Sequence, residues 1–195
     1  MTKQIWKPST LLNPVPVVLV TCADKNGNKN VFTVAWAGTI NTKPPMLSIS
    51  VRKSRHSYQM IKETGEFVVN LTNESLAFAT DYCGVKSGKD IDKFKETNLT
   101  PLKAQNVSAP IIKECPVNLE CKVEKIVELG SHDMFIANIV ASHVDDNLVD
   151  EEGKLNLDKA NLICYSHGEY WSLSKSLGYF GYSVTKKENL KRNKK

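Results

Sequence analysis

The segment SISVRKSRHSYQMI (Ser48–Ile61) places Arg52, Lys53, Arg55 and His56 beside the hydroxyls of Ser54 and Ser57. It begins with an alternating, strand-like run and ends in an apolar run of helical character. A helix start carries unpaired backbone N–H groups and a partial positive charge, so it favours an anion. The two serines add hydroxyl donors, and the cations add charge-assisted ones. A phosphate monoester, near two negative charges at neutral pH, suits such a place. A plain helix cap with solvated cations uses the same residues, and this stretch alone does not separate the two readings.

Positioning these groups requires a strand before them and a helix after them. Met46–Val51 reads as the strand, and the helix runs from Ser54 to Thr64, capped by Ser54 and ended by Gly65. Upstream, the valine-rich Pro14–Ala23 reads as a buried strand. Asn26-Gly27 signals a hairpin that leads into a return strand over Val31–Gly38. Glu66–Leu71 is a further strand, Asn73–Cys83 a short helix, and the polar stretch after it a loop with one helical turn. Cys115–Leu129 alternates, with Val117, Leu119, Cys121 and Val123 on one side. After a turn at GSHD, Met134–Val144 returns, and Asn161–Ser166 is the last short strand. Strands joined by tight turns, without a parallel βαβ rhythm, predict a mainly β, antiparallel barrel or sandwich with a few short helices.

The chain has 195 residues with 41% hydrophobic and 24% charged content, which fits one ordinary globular domain over residues 1–184. The net charge of +5 comes from the segment 185–195, where six cations face one acid. The body is neutral overall, which argues against nucleic-acid binding. No run approaches the roughly 20 apolar residues of a membrane span, and the start lacks a signal-peptide hydrophobic region. A cytoplasmic protein is therefore expected, and the Asn-x-Ser/Thr matches at Asn70, Asn73, Asn98 and Asn106 carry no glycosylation meaning.

Several familiar chemistries lack their residues. Five scattered cysteines form no Cys-x-x-Cys pair, and the four histidines show no His-x-x-x-His pattern, so a zinc site has no support. GVKSGKD (Gly84–Asp90) falls short of a P-loop: three residues separate its glycines, and Asp90 stands where a Ser or Thr must be. There is no Gly-x-Gly-x-x-Gly for a Rossmann site. The acidic run Asp145–Gly153 lacks calcium-loop spacing and reads as a solvated turn.

The wider sequence resembles the flavin reductase-like family of FMN-binding split barrels, which includes flavoredoxins. The resemblance runs from about Pro14 to Tyr182 and is looser between Lys86 and Ile112. It rests on Thr33, Ala35 and Trp36 in a Thr-x-Ala-Trp segment, Pro44-Pro45 before a strand, and the cationic handover. TGEFVVNL and GSHDMFIANIV, which looks like that family's Gly-x-His turn, complete it. It implies a homodimeric split barrel with FMN near the subunit interface. Thr33, Val34, Ala35 and Trp36 would line the isoalloxazine, and Ser50 and Val51 the ribityl chain. Arg52, Ser54, His56 and Ser57 would hold the phosphate. The helix around Phe78–Cys83 would close another side, with Cys83 approaching the flavin.

The resemblance also implies hydride transfer from NADH or NADPH to flavin N5, with the cofactor supplying reactivity and the protein supplying position. His132 is the candidate for a direct role. Ser131 stands where some relatives have an aspartate, so contact with nicotinamide and a structural role in the turn both remain open readings of His132. The alternative is a flavoredoxin-like carrier reduced by a partner protein such as ferredoxin, and a third is a non-redox module on the same barrel. Tyr170 and Trp171 are additional candidates for a wall of the flavin site.

Overall fold

The computed structural model describes residues 1–184; the basic segment from Thr185 lies outside the described residues. Its first strands are β1 (Val15–Pro16), β2 (Val18–Ala23), β3 (Lys29–Val34), β4 (Ala37–Asn41) and β5 (Met46–Val51). Helix α1 (His56–Thr64) and β6 (Glu66–Leu71) follow, then α2 (Ala77–Val85) and α3 (Lys93–Glu96). After the two-residue strands β7 (Pro101–Leu102) and β8 (Ile111–Ile112) come the long β9 (Val117–Glu128) and β10 (Asp133–Val144). The chain closes with β11 (Ile163–Ser166) and β12 (Glu169–Ser172).

Seven strands form one antiparallel sheet in the order β3-β2-β6-β9-β10-β5-β4. Its two edge strands are consecutive in sequence, with only Ala35 and Trp36 between them. The chain therefore crosses the gap between the two sheet edges in a two-residue corner, and Ser50 donates its N–H to the Trp36 carbonyl at 2.8 Å. A second, three-stranded sheet pairs β1, β11 and β12.

Alternation along the strands fills the barrel. Val18, Val20 and Cys22 of β2 point into one core with Ile49, Val51, Phe67 and Phe135. Helix α1 plugs its end with Tyr58, Met60 and Ile61, and Gly65 in the left-handed region (φ 68°) stops that helix. The opposite face of β2 is covered as well: Leu19 joins Val31, Ala79, Cys83, Phe94 and Ile112 in a second cluster. Burial on both faces explains why β2 reads as a continuous apolar run rather than an alternating one.

Several boundaries differ from the sequence reading. The return strand breaks after Val34, because the corner at residues 35–36 must carry the chain to the other sheet edge. Helix α1 begins at His56 with Arg55 as its extended N-cap residue and no side-chain cap, so Ser54 does not cap it; Ser54 lies in the turn where Arg55 N–H bonds to the Arg52 carbonyl. Asn161–Ser166 is not the last strand, since β12 pairs with β11 across a turn at His167 and Gly168. The polar side of β9 does not face solvent throughout, for Asn118 and Glu120 are buried beneath the segment 103–113.

Glu120 is fully buried and accepts N–H bonds from Gln105 at 2.7 Å and Asn106 at 2.6 Å, with His143 Nε2 at 2.5 Å. Burial alone would push its carboxyl up, but these donors outweigh it and hold the group below its ordinary value. A carboxylate held low contributes stability that is present above the unfolded value and lost as pH falls through the folded one. Thermal melts should thus lose stability on acidification below about pH 4.5. Glu120→Gln should lower stability at neutral pH by about 1–3 kcal/mol and flatten that acid limb; an unchanged acid limb would contradict this assignment.

Candidate functional site

The corner between β3 and β4 and the handover from β5 to α1 meet at one end of the barrel. A narrow groove of about 90 Å³ is lined there by Thr33, Val34, Ala35, Trp36, Ser50, Val51, Arg52 and His132, together with Phe32 and Arg55. Eight residues expected at a flavin site from three separate stretches of sequence are thereby brought together. The Thr33 hydroxyl donates to the Thr80 carbonyl of α2, so this side chain is committed to the fold. Trp36 at the corner is partly exposed, and its ring is tilted against Tyr165 at 6.4 Å.

Beside the groove lies a polar cavity of about 400 Å³ around Arg52, Ser54, Arg55, His56 and Ser57. The two spaces share Phe32, Arg52 and Arg55. The far wall of the cavity comes from residues the sequence reading left in a loop: Lys86, Ser87 and Gly88 after α2, and Lys93 at the start of α3. Among the described residues, no carboxylate lines the cavity. Arg55 carries part of the handover's charge without belonging to the expected phosphate set, and Asn30 is not among the expected site residues. Asn30 Nδ2 donates to the Ser57 hydroxyl oxygen at 2.7 Å and so fixes that side chain at the cavity floor. Sequence spacing could not reveal Lys93 or Asn30, because each reaches the site through a tertiary contact.

Lys93 is only 4% exposed. Its ammonium donates to the carbonyls of Val31 (2.9 Å) and Cys83 (2.8 Å), which joins α3, β3 and the end of α2. Burial, reinforced by Arg55, pulls its pKa below the usual lysine value. An anion in the cavity would offset that penalty by giving the buried charge a partner.

Beyond the corner the groove opens into a cleft of about 370 Å³ lined by Trp36, Arg52, His132, Asp81, Tyr165 and Tyr170, among others. The Tyr170 hydroxyl donates to Asp81 at 3.0 Å. Tyr170 therefore walls the cleft, whereas Trp171 is largely exposed and lines neither space. His132 faces both the groove and the cleft, and its Nδ1 lies 2.9 Å from the Ser131 hydroxyl. Burial and the nearby Arg52 and Arg55 hold its pKa below the ordinary histidine value, which favours the neutral imidazole at neutral pH.

Cys83 is not brought to this site. It is fully buried in the second core cluster, and burial raises its thiol pKa; the neighbouring α2 residues Asp81, Gly84 and Val85 line the cleft instead. Cys22, Cys115 and Cys121 are likewise buried free thiols, and burial pushes Cys22 and Cys121 up to about 12. Among the described residues no group of three or more metal-ligating side chains occurs, and no helix is long and apolar enough to cross a membrane.

Residues 11–174 match the Flavin reductase like domain, and the chain belongs to that family. An uncharacterized protein of Archaeoglobus fulgidus is 33% identical over 147 residues, which cover 75% of this chain and 82% of that one. Among solved structures, the chain is similar to the flavoredoxin of Desulfovibrio vulgaris (Miyazaki F), with 28% identity and a TM-score of 0.88 over 94% of this chain and all of that one. The flavoredoxin of Methanosarcina acetivorans gives 29% identity and a TM-score of 0.84 over the same shares. The fold is that of the flavin reductase split barrels.

A Cβ at Gly88 would lie 2.1 Å from Asn30 Oδ1 and 2.6 Å from its Cγ. Gly88→Ala must therefore displace Asn30 from Ser57. It should cost roughly 1–3 kcal/mol of stability and weaken inorganic phosphate binding in a calorimetric titration. Unchanged phosphate affinity in a folded variant would show that the Asn30–Ser57 bond does not organise the cavity.

Proposed function

We propose that the chain is an FMN-binding flavoprotein that works as an NAD(P)H-dependent flavin reductase. The observation that carries this reading is the junction at Arg52 and Arg55, where a narrow groove at the β3–β4 corner meets a cationic cavity lined by no carboxylate among the described residues. That arrangement fits a flat ring on one side and a phosphate monoester on the other. Arg52, Arg55 and Ser54 would hold the phosphate, with His56 and Ser57 at the start of α1. Backbone at Thr33, Val34, Ala35 and Trp36 would face the ring, with Ser50 and Val51 along the ribityl chain.

Bound FMN would supply the capacity to accept hydride at a ring nitrogen. The chain's own residues would supply geometry. Trp36, Tyr165 and Tyr170 give the cleft an aromatic wall that can order a second planar ring and shield it from water. Neutral His132, at the boundary of groove and cleft, would offer one hydrogen-bond donor or acceptor without adding a charge beside the ring.

A second copy of the chain is part of this proposal. Trp6, Leu12, Leu177 and Phe180 are exposed on the terminal segments of the described residues. Such apolar area is well explained by burial against an identical protomer. Light scattering on the purified protein should return about twice the 21.8 kDa chain mass. A monomer at micromolar concentration would remove the dimer from the proposal.

The likeness to two flavoredoxins favours one alternative, an FMN electron carrier reduced by a partner such as ferredoxin. Ser131 at the turn before His132 is consistent with it. The two readings separate in an anaerobic titration that follows the flavin band near 450 nm, a position set by the cofactor. Rapid bleaching by NADH or NADPH supports the reductase. A band that persists with both nucleotides and bleaches with reduced ferredoxin replaces it with the carrier.

A further inference from the structure

One cation of the charged handover takes no part in lining the cavity. Arg52, Ser54, Arg55, His56 and Ser57 line it, whereas Lys53 does not. The Lys53 ammonium lies 3.3 Å from Glu128 Oε2 and 3.5 Å from Asp133 Oδ2 instead. Tyr58, the residue after Ser57, turns the same way, and its hydroxyl donates to that Asp133 oxygen at 2.6 Å. One carboxylate thus grips the cationic turn at both of its ends. Asp133 itself lines neither the cavity nor the groove.

The position of Asp133 suits this grip. It is fully buried at the start of β10, across from Val51 at the end of β5 and from Glu128 at the end of β9. The turn leaves the sheet directly after Val51, so its first residues pass beside this carboxylate. Arg52 and Arg55 repel each other within the turn, and that repulsion favours opening it while the cavity holds no anion. A carboxylate inside the cavity would relieve the repulsion but compete with an anionic ligand. A carboxylate behind the wall relieves it and leaves the cavity to the ligand.

We propose that Asp133 is a positioning residue for the phosphate donors: through Tyr58 and Lys53 it holds residues 52–57 in their binding shape before the anion arrives. This rests on the flavin reading above. Asp133 touches neither phosphate nor ring and acts only through the turn. Donors fixed in advance lose less freedom on binding, so the gain falls on the phosphate end of the ligand. A bond that merely joined α1 to β10 would support both ends of the ligand alike or neither.

The test is a fluorescence titration of the full chain with FMN and with riboflavin, in the wild type, Tyr58→Phe and Asp133→Asn. Tyr58→Phe removes the hydroxyl and keeps the ring that meets Phe135 edge-on at 5.5 Å, so the fold has little reason to fail. It should weaken FMN at least about fivefold and change riboflavin by less than about twofold. Asp133→Asn removes a negative charge close to the cationic turn, which by charge alone would tighten FMN. The positioning role predicts weaker FMN instead, with riboflavin again unchanged. An FMN-to-riboflavin affinity ratio that Tyr58→Phe leaves as it was would overturn this inference and leave the flavin reading intact, as would tighter FMN in folded Asp133→Asn. A wild type that binds neither flavin would overturn both.

Discussion

The structure depends on holding like charges together. Arg52, Arg55, Lys86 and Lys93 surround one cavity that no carboxylate of the described residues lines, and such a cluster is unfavourable unless the fold over-determines its geometry. The protein does so from several directions. Asn30 fixes Ser57, Lys93 is clamped by two carbonyls, and the buried Asp133 accepts the Tyr58 hydroxyl at 2.6 Å while Lys53 lies 3.5 Å from the same oxygen. Tyr58 belongs to α1 and Lys53 to the turn before it, so Asp133 anchors both sides of the cationic loop on β10. The other oxygen of Asp133 is buried without a hydrogen-bond partner among the described residues, a cost the fold accepts to hold this anchor.

The split in the barrel provides the second half of the site. Closing seven strands into a cylinder leaves β3 and β4 as edges, and the two residues that bridge them cannot join either ladder fully. Exposed backbone at a corner is a liability elsewhere. Here it lies beside the charged cavity, so one ligand with a flat, hydrogen-bonding head and an anionic tail can satisfy both. The second sheet brings Tyr165 and Tyr170 to the same corner.

Much of this was legible in the sequence for identifiable reasons. Strand alternation in Met46–Val51 and the Asn26-Gly27 hairpin are local signals, and the fold obeys them. The charged handover at Ser48–Ile61 was legible because its residues are adjacent in the chain. Asn30, Lys86, Gly88 and Lys93 were not, since their roles depend on α2 and α3 packing over β3. The break after Val34 was not legible because Val31–Gly38 has Thr33 as its one polar side chain, and nothing from Val34 onward marks where the run changes sheet edge. Cys83 shows the opposite limit. Its place in the helix beside the cleft was legible, but the face it turns inward to the core was not.

The most direct measurement compares the affinity of the purified protein for FMN and for riboflavin, which differ only by the phosphate. If the cationic cavity holds that phosphate, two or more charge-assisted hydrogen bonds distinguish the ligands, and FMN should bind at least about a hundredfold more tightly at low salt. The gap should narrow as ionic strength rises. Equal affinities would mean that the cavity does not receive the phosphate, and the account of Arg52, Arg55 and the start of α1 would be wrong.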